Sequence, residues 1–187
     1  MQLSDLPKDS KLESGKFRFL FRELNTLVGR IITKDFRDLT EETLKVAPVA
    51  FWTRECSLKY HPVDERGTYG NQIHTIRVAK LVLVIVASCG SNRWTIDRVL
   101  SGGLLHDVCR HGLDGTSQWS HKDHPKLVRT LMDNNRIGLN SSAREELLED
   151  IEKHMGRWDN PSYAPKLSSS EILHLADAID AKLEDIE

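Results

Sequence analysis

A histidine followed directly by an aspartate, His106-Asp107, is the part of this 187-residue sequence best suited to chemistry. Side chains of the same two types stand before and after it, each in or at the edge of a helical pattern: His74, His121, His124, His154 and Asp177. Neutral imidazole nitrogen and carboxylate oxygen together suit Fe, Mn, Co, Ni or Zn. A bound metal lowers the pKa of water from about 15.7 towards about 7, so hydroxide becomes available at neutral pH. These residue types predict a metal centre that activates water.

Each of these residues also has an ordinary structural explanation when it is considered alone. His74 lies on an apolar stripe, where a histidine is more often a hydrogen-bonded core residue. His154, near a helix C-terminus, could complement the helix dipole, and Asp177 could be a solvated residue of the last helix. In combination with His106-Asp107, and in this order along the chain, the set favours the metal site.

The composition excludes several classes of protein. With 26 Lys and Arg against 28 Asp and Glu, the chain lacks the basic footprint of a nucleic-acid-binding protein. Three widely spaced cysteines predict free thiols in a reducing cytosol. The first residues show no secretory pattern. The longest apolar run, Leu81 to Ala87, is much shorter than the roughly 20 residues of a membrane helix. We expect a cytoplasmic protein of about one domain with no membrane association.

Apolar periodicity predicts an all-α bundle of about seven helices. The first helix is expected from Lys16 to about Ile32. Thr40 is the predicted cap of a second helix that ends before Pro48, and residues 48–71 are expected to form a loop with aromatic anchors.

The remaining five predicted helices contain or flank the candidate ligands. One runs from about 71 to 88 with His74, and the next runs from Thr95 or Asp97 to about Arg110 with His106-Asp107 at its C-terminal end. Three more are expected to start at Asp123-His124-Pro125, at the capping box Ser142–Glu145 and at the capping box Ser168–Glu171.

In this order and on consecutive helices, the histidines and aspartates resemble the HD-domain superfamily of metal-dependent phosphohydrolases. The segments that carry the resemblance are Gly103-Leu-Leu-His-Asp-Val108, His124-Pro125 before an apolar helix, Ile151-Glu-Lys-His154 and Leu173-His-Leu-Ala-Asp177-Ala178. The resemblance covers roughly residues 58–185. It divides the chain into an N-terminal helical extension (1–57) and an HD phosphohydrolase domain (58–187), which we expect to form one compact unit.

The four-histidine set is similar to the dinuclear branch of this family, which implies two divalent metal ions. Fe, Mn, Co, Ni or Zn are expected, with Mg as an alternative. The resemblance places His74, His106, Asp107 and Asp177 in the first site, and His124 and His154, with Asp107 as the bridge, in the second. His121 is the alternative to His124, but His124-Pro125 matches the family pattern better.

Phosphate recognition requires cations as well as metal ligands. Arg110 follows His106 by four residues and Asp107 by three, so it shares their helix face. We expect Arg110 and Asp107 to be catalytic, and Arg110 to bind substrate. Further candidates for substrate binding are Lys122, His111, Arg157 and His61.

The resemblance implies that metal-activated water cleaves a phosphoester. Near-neutral charge favours a nucleotide or related small phosphorylated compound, and Trp119 and Trp158 could stack on a base or anchor the core. A dinuclear-iron oxygenase with the same ligands, and a non-catalytic HD scaffold, are the alternatives; a homo-oligomer through the N-terminal helix is a further option. After His154 the chain lacks the Gly-Tyr-Pro motif of the cyclic-dinucleotide-cleaving branch, so that substrate is not assigned.

Overall fold

All regular structure is helical in the computed structural model, which describes residues 1–6, 9–57, 59–156 and 168–182. The α-helices are α1 (Gly15–Val28), α2 (Lys34–Lys45), α3 (Val49–Thr53), α4 (Gly70–Ser88), α5 (Arg93–Leu105), α6 (His124–Asn134), α7 (Ser142–Lys153) and α8 (Ser169–Ala181). Short 3-10 helices occur at Leu3–Asp5, Ser10–Glu13 and Val63–Glu65. The predicted all-α class is confirmed. The described residues contain eight α-helices because α3 forms within the segment predicted as a loop.

The N-terminal boundaries differ from the predicted ones. α1 ends at Val28, and α2 begins at Lys34, so the predicted cap at Thr40 is wrong. Thr40 is buried in the middle of α2, where its hydroxyl donates to the Phe36 carbonyl at 2.7 Å. A threonine hydroxyl can be satisfied by the carbonyl four residues earlier, and it does not then end a helix.

Two further helix starts were predicted late, that of α5 by two or four residues and that of α7 by one. α5 begins at Arg93, with the Asn92 side chain accepting from the Thr95 amide at 2.9 Å. α7 is capped by Ser141 rather than by Ser142. The cap at Ser168 is confirmed, since its hydroxyl accepts from the Glu171 amide. α5 ends at Leu105, so His106 and Asp107 follow the helix instead of lying within it.

α4 is the central helix and packs against α1, α3, α5 and α8. At its crossing with α5, a Cβ on Gly103 would lie 3.3 Å from the Ala79 Cα, so glycine permits the two backbones to approach closely. By length and composition alone α4 could cross a membrane, but 56% of its apolar window is buried inside the structure, as in the central helix of a helical core.

Residues before α4 share one apolar core with the helices after it. The Phe17 ring on α1 lies 6.1 Å from Trp52 on α3 and 6.0 Å from Tyr69, which precedes α4. The buried Asp97 carboxylate on α5 accepts hydrogen bonds from the backbone amides of Ile32 and Thr33. All three cysteines are free, as predicted.

Candidate metal centre

Four buried imidazoles turn the same ring nitrogen towards one another. In each ring Nδ1 faces an oxygen: His74 faces Asp180 Oδ2 at 2.7 Å, His106 the Gly103 carbonyl at 3.0 Å, His124 the His121 carbonyl at 2.9 Å and His154 the Ile151 carbonyl at 2.7 Å. Because carbonyl and carboxylate oxygens accept hydrogen bonds, Nδ1 carries the proton in every ring. Nε2 is therefore the ring nitrogen that each histidine presents to a metal.

Helix ends explain three of these orientations. His106 and His154 are the C-terminal caps of α5 and α7, and the Nδ1 of each donates to a carbonyl three residues earlier, in the last turn of its helix. His124 is the first residue of α6, with Pro125 beside it. The local sequence around each histidine thus sets the direction of its ring.

The inward-facing nitrogens converge on two carboxylates. His74 Nε2 lies 3.1 Å from Asp177 Oδ1 and 3.6 Å from Asp107 Oδ2. His124 Nε2 lies 3.0 Å from Asp107 Oδ1, and His154 Nε2 lies 4.0 Å from Asp177 Oδ2. The two oxygens of Asp107 thus face different histidines, as a bridging carboxylate requires.

These residues fit a divalent cation. The Nε2 atoms of His74 and His106 are 3.2 Å apart, close enough to share a proton or to bind the same cation. Neighbouring ligands of an octahedral ion with bonds near 2.1 Å are about 3 Å apart. His124 Nε2 is buried without a well-oriented hydrogen-bond partner. Within the predicted ligand set, three overlapping groups could each hold an ion: His74–His106–Asp107, His106–His154–Asp177 and Asp107–His124–His154.

The local electrostatics keep the carboxylates ionised. Burial opposes ionisation of Asp107, but the Arg110 guanidinium and the neighbouring imidazoles outweigh it and hold its pKa well below the ordinary value. Burial likewise opposes ionisation of Asp177, whose pKa is nevertheless lowered by the imidazoles of His74, His106 and His154 around it. Burial lowers the pKa of His106, and burial together with the charges of His106 and His124 lowers that of His154 to about 3. A cation therefore meets anionic oxygens and, at His106 and His154, unprotonated nitrogens.

A cavity of about 710 Å³ gives access to this cluster. Its lining includes the buried Asp107, His124, His154 and Asp177, together with the exposed rings of Tyr60 and Trp119. Trp119 is 69% exposed, so it does not anchor the core.

The predicted substrate-binding residues have different positions. Arg110 and His61 are buried and line the cavity. His111 also lines it, but its two ring nitrogens face the backbone carbonyls of Ser117 and Glu55, so it joins two loops. Lys122 is exposed and is absent from the lining. Arg157 and Trp158 lie outside the described residues.

The geometry favours His124 over His121 as the metal ligand. His121 is exposed, and its Nδ1 accepts a hydrogen bond from the Asp123 amide. His124 is buried beside Asp107. The structure brings together all six residues of the predicted ligand set, while their coordination of a metal stays a prediction.

Sequence reasoning missed two buried carboxylates. Asp180 holds His74 Nδ1, and it lies three residues after Asp177 on the same face of α8, a spacing that could have identified it. Glu65 is fully buried and bonds His61 Nδ1 at 2.9 Å. It lies in a 3-10 turn within the expected loop, where no periodicity marks a buried residue.

Comparison with known families decides which group this arrangement represents. The family model for the HD domain matches residues 71–182, more than half of the chain. The chain belongs to the HD domain family. HD domains form a superfamily of metal-dependent phosphohydrolases, and the buried His and Asp groups could hold the divalent metals that HD domains bind. The matched part of this HD domain includes all six residues of the predicted ligand set, from His74 to Asp177. The searches of curated proteins and of solved structures found no match.

Proposed function

We propose that this protein is a metal-dependent phosphohydrolase that cleaves a phosphoester of a nucleotide or a related small phosphorylated compound. The observation that carries the proposal is the convergence of four inward-facing Nε2 atoms and two carboxylates beside a cavity of about 710 Å³. Ligand cavities commonly measure about 300–1,000 Å³, so a mononucleotide is of suitable size.

The proposed ligand sets share one carboxylate. His74, His106, Asp107 and Asp177 would hold one ion, and His124, His154 and Asp107 a second. When bound, such ions supply a hydroxide and polarise a phosphoryl oxygen. The protein holds its imidazoles through Nδ1, so little reorganisation is needed when the ions bind.

Arg110 is the proposed phosphate-binding residue. Its guanidinium is buried at the cavity and is ion-paired with Asp107. In a site shielded from water, a fixed guanidinium binds phosphoryl oxygens more strongly than an exposed one would. Arg110 would therefore orient the phosphoryl group towards the ligand set.

The exposed aromatic rings favour a substrate with a planar group. Tyr60 and Trp119 line the same cavity as Arg110 and expose 55% and 69% of their surface. Base stacking on an aromatic ring contributes about 1–3 kcal/mol, which supports a nucleotide over a simple sugar phosphate.

Metal analysis with a substrate panel tests the proposal. Protein loaded with Mn²⁺, Co²⁺ or Fe²⁺ is expected to release phosphate or nucleoside from one class of nucleotide. Asp107→Ala removes the carboxylate between the two histidine groups, so it should lose bound metal and all hydrolysis while remaining folded by circular dichroism. The matched control is His121→Gln, an exposed position that should retain metal and activity.

Three results would contradict this function. If Asp107→Ala retained hydrolysis, the proposed metal mechanism would be ruled out. Oxygen consumption by a mixed-valent iron form, without phosphate release, would indicate an oxygenase on the same ligands. Metal binding without any turnover of the panel would favour a non-catalytic scaffold.

A further inference from the structure

A chain of polar contacts runs from the half-buried Arg77 on α4 to the buried Arg110 at the cavity. It passes through two side chains outside the proposed ligand set, Glu65 and His61. We infer that Glu65 and Arg77 act through His61 to position the Arg110 guanidinium for a phosphoryl anion. The role of this chain of contacts in catalysis rests on the proposed function, whereas its role in anion binding can be measured separately.

The contact between Arg110 and His61 fixes the protonation of His61. Arg110 Nη2 lies 3.0 Å from His61 Nε2. A guanidinium has only N–H donors, so Nε2 must accept and the ring proton must be on Nδ1. Nδ1 in turn faces Glu65 Oε2 at 2.9 Å, where it donates. His61 thus donates to the buried Glu65 carboxylate and accepts from the buried Arg110 guanidinium.

Glu65 is held in place from several sides. Its Oε1 accepts from Arg77 Nη1 at 2.9 Å, and its Oε2 lies 3.5 Å from His74 Nδ1, so this fully buried carboxylate has a guanidinium and imidazoles around it. Its backbone carbonyl accepts from the Cys56 amide at 2.8 Å. A Cβ on Gly70 would lie only 1.7 Å from that carbonyl oxygen, so only glycine permits this approach. The position of Glu65 is therefore fixed by backbone contacts as well as by charge.

Acceptors on two sides hold the Arg110 guanidinium. His61 binds Nη2, while Asp107 and the Cys56 sulfur lie against Nη1, the sulfur at 3.6 Å. The remaining N–H groups of the five in a guanidinium are left for an anion in the cavity. Without His61, only the contacts at Nη1 restrain the group, and more conformational freedom is lost when an anion binds.

The test uses His61→Leu and His61→Gln in the metal-loaded protein, with inorganic phosphate as the probe. Leucine removes the acceptor for Arg110, and we expect the dissociation constant of phosphate, measured by calorimetry, to rise on the order of 10-fold to 100-fold. Glutamine retains a carbonyl oxygen near the position of Nε2 and should restore binding to within about 3-fold of wild type. In turnover assays the loss should appear mainly in KM, with kcat and metal content retained.

A double-mutant cycle tests whether Arg77 acts through His61. Arg77→Met alone should weaken phosphate binding in the same direction, and in the His61→Leu background it should add nothing. Arg129→Met is the matched control, since Arg129 pairs with Glu145 and Glu152 away from the cavity. Its phosphate binding should equal that of the wild type.

Three results would overturn the inference: wild-type phosphate affinity in His61→Leu, fully additive effects in the cycle, or no phosphate binding by the wild type. Phosphate binding that depends on His61, without hydrolysis of any substrate, would support the inference and reject the proposed function.

Discussion

At the scale of single residues, the proton on Nδ1 decides what each histidine can do. Three of the four imidazoles obtain this state from a backbone carbonyl three residues earlier, a local arrangement at a helix end. His74 instead lies inside α4 and depends on the Asp180 carboxylate, which comes from α8. His74 is therefore the imidazole whose state depends most on the tertiary structure.

Asp180→Leu should weaken metal binding. Without the carboxylate, His74 loses its 2.7 Å partner on Nδ1, and a lost partner of this kind typically costs about 10-fold to 100-fold in metal affinity. Competition titration against a chelator measures the effect. Asp180→Asn keeps an oxygen acceptor and should lose less, while the exposed Asp123→Asn should lose nothing. Equal affinity in Asp180→Leu and wild type would show that Asp180 does not support the site.

At the scale of elements, ligands from different helices meet because the helices cross closely. The Gly103 crossing brings α5 against α4, so His74 and His106 come together although 32 residues separate them. Asp97, on the same helix, binds the segment between α1 and α2 through two backbone amides and the Thr33 hydroxyl. This carboxylate therefore joins the N-terminal helices to a helix that leads into the site.

Asp97→Ala should lower the free energy of unfolding by about 3 kcal/mol, because it removes the buried carboxylate that accepts from two backbone amides and the Thr33 hydroxyl. Urea unfolding followed by circular dichroism measures the change. The control is Asp38→Ala, which removes only an exposed ion pair with Lys34 and should leave the free energy of unfolding almost unchanged. A similar small loss in both variants would mean that Asp97 does not join these elements.

At the scale of the whole molecule, burying imidazoles makes the stability of the metal-free protein depend on pH. Burial, with the charges of His106 and His124, lowers the pKa of His154 from 6.5 to about 3. Between these values the unfolded chain binds a proton that the folded protein does not bind. The contribution of His154 is therefore complete above about pH 6.5 and decreases as the pH falls towards 3, by up to ~1.4 kcal/mol per pH unit.

His154→Gln should accordingly show a shallower loss of stability in acid than the wild type. The measurement is urea unfolding of the metal-free proteins at several values between about pH 4.5 and 7.5. The comparison separates His154 from Asp180, whose pKa burial raises to about 6 and which acts in the opposite direction. The exposed His121→Gln should keep the wild-type slope. An unchanged slope in His154→Gln would contradict the lowered pKa.

The sequence by itself determined the family, the all-α class and the set of candidate ligands. These depend on residue type and on order along the chain, and helical periodicity is a local property that a sequence displays directly. Pro125 beside His124, and the capping serine at 168, marked helix starts correctly for the same reason.

Only the tertiary structure decided how the ligands are supported. Asp180 lies 106 residues from His74, and His61 lies 49 residues from Arg110, so no local pattern connects them. The buried position of Glu65 depends on a close approach at Gly70 within an irregular segment. Contacts of this kind depend on which faces of distant elements pack together, and that is a property of the assembled core.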